Sequence, residues 1–302
     1  MNSNKTLISW LILLALVLVW GSSFILIKQS LLYFTGPEVG LLRIVLTFLF
    51  MLPWAYKALK KTPKKMYRLL FVSGIVGSLL PAYLFAIAET RISSSLAGTL
   101  NSLTPLFTLI IGVLFFKLKT HWFNIAGVII GLAGAVGLIY AASGVDLDTG
   151  MIYSSLVLIA SICYAINVNL VKYYFNGINS VNITSLTFFF IGIPALFYLL
   201  LFTQIPHKLL YEPASWSGMG YMAVLSFVGT GLALIIFNYL IKISSAVFAS
   251  SVTYMIPIVA IFWGIIDNEP FKFVFLMWVM LILTGVYLVN KQKTTHKNEN
   301  KM

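Results

Sequence analysis

Charge is scarce in this chain. Asp, Glu, Lys and Arg make up 9% of its 302 residues, against 60% hydrophobic residues. There is one cysteine, Cys163, inside an apolar run, so disulfides take no part in folding. The three histidines, His121, His207 and His296, fall in connections or near the end, and no Asp or Glu falls at the middle of an apolar stretch. Paired carboxylates, a metal-binding cluster and an activated nucleophile are therefore all missing, which argues against a membrane enzyme and implies no cofactor or metal. No G-x-x-x-x-G-K-[ST] loop is present and the connections are short, so ATP-driven pumping by this chain alone is excluded.

Long apolar runs are what the sequence has in quantity. A helix that crosses a bilayer needs about 20 mostly apolar residues. Ten stretches qualify: 8–28, 36–57, 68–89, 92–116, 121–141, 150–172, 180–203, 216–241, 245–266 and 271–290. They predict an all-α integral membrane protein with ten transmembrane helices and the lipid bilayer as its surroundings. The first run is too long for a signal-peptide core and is expected to stay.

The net charge of +12 is a matter of topology, with no nucleic-acid partner implied. Fifteen of the twenty Lys and Arg residues, Lys57 to Arg68 among them, fall on the side of the N-terminus. Only Lys28, Arg91, Lys208 and Lys272 fall on the other side, together with seven of the eight acids. The positive-inside rule then places both termini in the cytoplasm of a multi-pass inner-membrane protein. Residues 293–302 read as a solvated, disordered cytoplasmic tail.

The chain also repeats itself. A shift of 152 positions lays "RISSSLAGTLNSLTP" on "ISSAVFASSVTYMIP" so that Ser93 meets Ser245, Ala97 meets Ala249 and Pro105 meets Pro257. The same shift lays Gly77 on Gly229. A shift of 144 lays "WGSSFILIK" on "YAINVNLVK", pairing Trp20 with Tyr164, Ser23 with Asn167 and Lys28 with Lys172. The reading is two five-helix halves, 1–143 and 144–292. Five is odd, so the second half enters the bilayer inverted, a plan that puts a solute site at the midplane between the halves.

With these motifs the chain resembles the ten-helix drug/metabolite transporters of the EamA type over nearly its whole length. The resemblance rests on "WGSSFILIK", an Arg in the second helix, a small-residue helix that meets a Pro in each half, "GVIIGLAGAVGL" and "IIDNEP". One departure is Lys117, where the family commonly has a Glu after the fourth helix; Glu269 keeps it in the second half. The resemblance implies a secondary transporter of amino acids, other small metabolites or drugs, working as an exporter. A drug or toxic-compound exporter is the alternative, with a non-transporting scaffold or lipid-handling enzyme further behind.

Candidate residues for the solute path follow from helical spacing. Ser94, Gly98, Asn101, Pro105 and Thr108 form one stripe, and Ser250, Thr253 and Pro257 form its repeat-related partner. Either the stripes wall a cavity or they are a packing seam of small residues. Trp20 with Ser23, and Tyr164 with Asn167, offer an aromatic face beside a hydrogen-bonding group. Tyr83, just after the helix-breaking Pro81, and Asn238 are expected to complete the wall. Arg43 is the one charged residue well inside a span and has three roles open: a ligand for a substrate carboxylate, a gate partner for Glu38 or Glu89, or a snorkelling cation. Gly127, Gly131, Gly134 and Gly137 nearly share a face, for packing within the chain or for a homodimer contact.

Overall fold

The structure is a computed structural model that describes residues 3–118, 120–143, 147–269 and 272–290, all of whose regular elements are helical. Asp146 and the tail at 293–302 lie outside the described residues. Among the described residues, nine helices are long and apolar enough to cross a membrane: Leu7–Ser30, Gly36–Lys61, Lys64–Ala88, Ser94–Phe116, Trp122–Ala141, Gly150–Tyr174, Ser180–Phe202, Ser215–Ile243 and Ala246–Ile266. A shorter apolar helix, Val274–Val289, is the tenth. These ten are called spans one to ten. A short helix that the hydropathy pattern did not predict, Ile205–Tyr211, has Pro206 in its first turn and links spans seven and eight.

Several spans are interrupted, and the interruptions obey the repeat. Span four is helical to Asn101 and resumes at Thr104, with Pro105 in the first turn of the second piece. Span nine is helical to Ser250, tightens into a 3₁₀ turn over Ser251–Tyr254 and resumes at Ile256, with Pro257 in the equivalent place. Proline has no N–H and its ring crowds the preceding turn, so it fits only where a helix begins anew. Spans three and eight widen into π-turns at Ile75–Leu79 and Phe227–Leu232, which begin 152 positions apart. Pro81 follows the first, but Ala233 follows the second, so the proline is not what makes the turn. Gly77 and Gly229 are the shared feature.

Spans five and ten pack against each other through glycine. An added Cβ on Gly127 would lie 2.5 Å from the Gly285 carbonyl, and one on Gly134 would lie 2.9 Å from Ile282. Gly131 meets Leu106 at 2.5 Å in the same sense, and Gly137 lies under the Trp278 ring. The glycine face is therefore occupied within the chain, which accounts for it without a second copy.

The two ends of the bundle differ. One gathers Glu38, Glu89, Glu212, Asp267 and Glu269 and is called the acidic end; the other carries the Lys57–Arg68 connection and is called the basic end. All three ion pairs among the described residues are at the acidic end. Lys28 reaches Asp267 at 2.5 Å and Glu269 at 2.9 Å, and Lys208 reaches Glu38 at 2.8 Å.

Candidate functional site: a central cavity

Between the halves lies a cavity with about 850 Å³ of empty space, the opening at its mouth included. Spans one, two, three, four, six, eight and nine line it, so the repeat-related pairs one and six, three and eight, and four and nine all contribute. Eight of the residues singled out from sequence meet here: Trp20, Ser23, Arg43, Asn101, Tyr164, Asn167, Ser250 and Thr253.

The repeat pairs meet with matching geometry. Gly77 leaves room for the Asn167 amide, and Gly229 leaves room for the Ser23 hydroxyl, 3.0 Å from where a Cβ would stand. The Trp20 indole N–H donates to the Gly229 carbonyl at 2.9 Å, a carbonyl loosened by the π-turn. Ser73 donates to Asn167 Oδ1 at 2.5 Å, and the Asn167 amide N–H₂ keeps its donors. Trp20 packs edge-on against Phe237, and Tyr164 stacks on Phe85. The cavity thus has apolar aromatic flanks and a few polar points, the usual composition of a small-molecule site.

Arg43 is the cationic point. Its Nε donates to Thr230 Oγ1 at 2.8 Å, and the guanidinium lies within hydrogen-bonding reach of the Tyr164 hydroxyl. No carboxylate among the described residues lies within ion-pair distance of it. Its two remaining nitrogens carry the planar donor fork that suits a carboxylate.

Four expected wall residues lie elsewhere. Ser94 donates from N and Oγ to Glu269 Oε1, at 2.9 and 2.7 Å, and so belongs to the closure of the acidic end. Gly98 is pressed against span nine, an added Cβ falling 2.6 Å from Ala260 Cβ and 3.3 Å from the Phe24 ring. Tyr83 packs over Gly40 of span two. Asn238 donates to Thr184 Oγ1 at 3.0 Å, a structural bond between spans eight and seven. Ser94, Gly98 and Asn101 all precede the break at residues 102–103, so one helical piece meets in turn the acidic-end closure, span nine and the cavity.

Most hydroxyls of the 93–105 stretch are used locally. Ser93 caps the helix by accepting from the Leu96 N–H at 3.2 Å. Ser102, Thr104 and Thr108 donate to the carbonyls of Thr99, Asn101 and Thr104 at 2.6, 2.7 and 2.8 Å. In lipid a broken helix must find partners inside the protein for the carbonyls it frees. These hydroxyls supply them. Thr253 does the same for Ser250 at 2.9 Å in span nine.

Sequence reasoning missed Thr230, Ser78 and Thr104 in the cavity, each of which sits at or beside a helix interruption. The ends of spans four and nine correspond in part. The Lys117 N–H bonds the Gly112 carbonyl as the Glu269 N–H bonds the Gly264 carbonyl, 152 positions on. Among the described residues, Lys117 and Asn268 are the two non-glycine residues with left-handed backbone, φ 54° and 56°. The side chain of Leu118 covers Gly112, where that of Glu269 covers Gly264.

A ten-helix bundle with two related halves around a central, partly polar cavity defines a multi-pass membrane transporter. The sequence profile of the EamA-like transporter family matches residues 7–140 and 151–291, one match in each half, and the chain belongs to that family. It is 25% identical over 290 residues to a protein of Archaeoglobus fulgidus described as an uncharacterized transporter, covering 94% of this chain and 99% of that one. It is 27% identical over 260 residues to YedA of Escherichia coli K12, described as an uncharacterized inner membrane transporter, covering 83% of this chain and 80% of that one. A solved crystal structure superposes with a TM-score of 0.66 over 96% of this chain and 97% of its own, at 16% identity, and speaks to the fold.

Proposed function

We propose that this chain is an alternating-access carrier of small solutes that bear a carboxylate, amino acids and similar metabolites among them. The observation that supports this is Arg43, a guanidinium without a carboxylate partner in a cavity flanked by aromatic rings. Leaving it so is costly unless the solute completes the pair. Lipophilic cations, the common form of a drug substrate, would be repelled by it. Halves related by inversion supply two states that exchange inside and outside. The closed acidic end is one side of such an exchange. The carrier sits in the inner membrane with the basic end and both termini cytoplasmic, and the resemblance puts net movement outward, as solute gradients permit.

Flux tests this reading. Purified carrier in liposomes is expected to move at least one solute from a panel of radiolabelled amino acids and small carboxylic acids. Ser250→Leu puts bulk into the cavity and is expected to stop that flux with little change in melting temperature. Gly98→Leu instead forces a side chain against Ala260 and Phe24, and is expected to cost about 1–3 kcal/mol of stability. No flux for any member of the panel, or equal flux in Ser250→Leu, counts against the proposal.

Orientation is checked separately. In a Cys163→Ser background, Lys61→Cys and Glu212→Cys, both at exposed positions, are expected to react with an impermeant thiol reagent from opposite faces. Reaction of both from one face refutes the inverted arrangement.

A further inference from the structure

Glu89 has no part in the solute path described above, yet it is the most unusual acid in the chain. It follows the last helical residue of span three, with 7% of its surface exposed. Both carboxyl oxygens are buried and neither has a hydrogen-bond partner. The charged groups that face it come from three directions: Glu269 beyond span nine, Arg43 in span two and Lys28 in span one. None of them pairs with it. Lys28 is held by Asp267 and Glu269, and Arg43 by Thr230. Glu38, at the start of span two, is held by Lys208 and by the Thr35 N–H. The neighbour from span six, Tyr164, is neutral and stacks on Phe85, one turn before Glu89.

The two acids of this end are in opposite conditions. Glu269 accepts from the N–H and hydroxyl groups of both Ser94 and Ser95 and from Lys28. Burial disfavours its charge, but these bonds outweigh burial and hold its carboxyl at about 2. Glu89 has the burial without the bonds. Desolvation first, and then the charge of Glu269, push its carboxyl well above the usual range, with Arg43 and Lys28 pulling less strongly the other way. An ionised carboxylate with no hydrogen bond is not tolerated in such a place, whereas a neutral acid is.

Position gives that proton a consequence. Phe85 lines the cavity and Glu89 stands one turn nearer the acidic end, so it lies between the solute space and the closure made by Lys28, Asp267, Glu269, Ser94 and Ser95. When that closure parts, water reaches Glu89 and Lys28 loses its present partners. Both changes favour the ionised acid. We infer that Glu89 is the proton site of this carrier: its O–H is intact while the acidic end is closed, and the proton passes to water when that end opens. The inference rests on the alternating-access reading and adds a proton to each opening of this end.

The test reads opening without knowledge of the solute. Ile27, 2% exposed and lining the cavity next to Lys28, is the reporter. In a Cys163→Ser background, Ile27→Cys is treated from the acidic-end face with an impermeant thiol reagent between about pH 5 and 9, a span chosen to bracket a raised carboxyl. The variant Glu89→Gln mimics the neutral acid in the same volume and provides the reference, which also cancels ionisation of the thiol. The rate with Glu89 present, divided by that in Glu89→Gln, is expected to rise with pH by up to about tenfold per unit, the slope for one proton. Equal pH dependence in the two overturns the proton site and leaves the carrier reading standing. No reaction in either at any pH overturns alternating access itself, and the inference with it. Infrared spectroscopy gives a second reading: a protonated-carboxyl stretch is expected near neutral pH and is absent in Glu89→Gln. Its absence from the protein with Glu89 intact overturns the inference as well.

Discussion

Glu269→Gln is expected to open the acidic end and to accelerate thiol modification of Ile27→Cys from that face by roughly 30- to 1,000-fold. Glu269 ties three spans together: Lys28 of span one at 2.9 Å and the first residues of span four, Ser94 and Ser95, at 2.5–3.1 Å, all from its own place after span nine. Four donors besides Lys28 converge on two oxygens. Glutamine offers one oxygen and turns an N–H₂ toward groups that are themselves donors, so at least two of these bonds are lost and none replaces them. Breaking a buried pair by removing one partner costs about 3–5 kcal/mol. Lys28 keeps 34% of its side chain in solvent, which brings the expectation to about 2–4 kcal/mol. At about 1.4 kcal/mol per factor of ten, that gives the stated acceleration. The Lys28–Asp267 pair at 2.5 Å and the Gln29–Asp267 bond at 2.9 Å remain and hold the end in part. An unchanged rate in Glu269→Gln would show that apolar packing alone closes this end.

Closure through Glu269 depends on pH. Glu269 ionises at about 2, below its ordinary value of 4.5, so its contribution to closure is complete above about 4.5 and is lost as pH falls toward 2. Acid therefore weakens this clasp only at extremes. Among the described residues the basic end has no equivalent, because Lys117 stands where the repeat would place the second acid and the Leu118 side chain covers Gly112 there. Lys172, the counterpart of Lys28, donates instead to the carbonyls of Ile241 and Ser244 at the end of span eight. Repeat symmetry in the backbone is thus joined to unequal ends, one tied by ion pairs and one where the matching lysine caps backbone carbonyls.

Hydropathy was enough to place the spans, since lipid leaves little choice about where apolar residues go. The repeat was legible too, in residues whose chemistry matters at the cavity: Trp20 with Tyr164, Ser23 with Asn167, Asn101 with Thr253. What could not be read was which neighbour each part of a helix face meets. Ser94, Gly98 and Asn101 share a face of the helical piece that precedes the break at residues 102–103, yet they meet in turn a clasp, a packing contact and the cavity. The π-turns of spans three and eight are also hidden, although Gly77 and Gly229 marked their places. Pair partners across the bundle were also beyond reach. Glu269 meets Ser94 at a sequence separation of 175, and no local pattern announces that. The short Ile205–Tyr211 helix, which carries Lys208 to Glu38, gave one signal, a proline at its start.

Arg43→Lys is expected to remove most transport of carboxylate-bearing solutes although the charge is kept. Arg43 does two things at once: Nε is committed to Thr230 Oγ1 at 2.8 Å, and the guanidinium lines the cavity beside the Tyr164 hydroxyl. That division fixes the plane of the guanidinium, so a carboxylate meets two parallel donors with little further ordering. A lysine ammonium is a point charge on a flexible stem and cannot hold Thr230 while presenting a fork. Losing one partner of a buried hydrogen-bonded charge pair costs about 2–5 kcal/mol in binding. Solute affinity should therefore fall by roughly 30-fold or more in Arg43→Lys, and further in Arg43→Gln. Stability should hold or rise, because the unpaired cation is itself a cost to the empty carrier. Flux measured beside melting temperature separates the readings. Retained flux of carboxylates in both variants, with normal folding, would assign Arg43 to the Thr230 contact and remove it from the solute site. Lost flux of carboxylates together with preserved flux of an uncharged analogue would place the guanidinium on the solute itself.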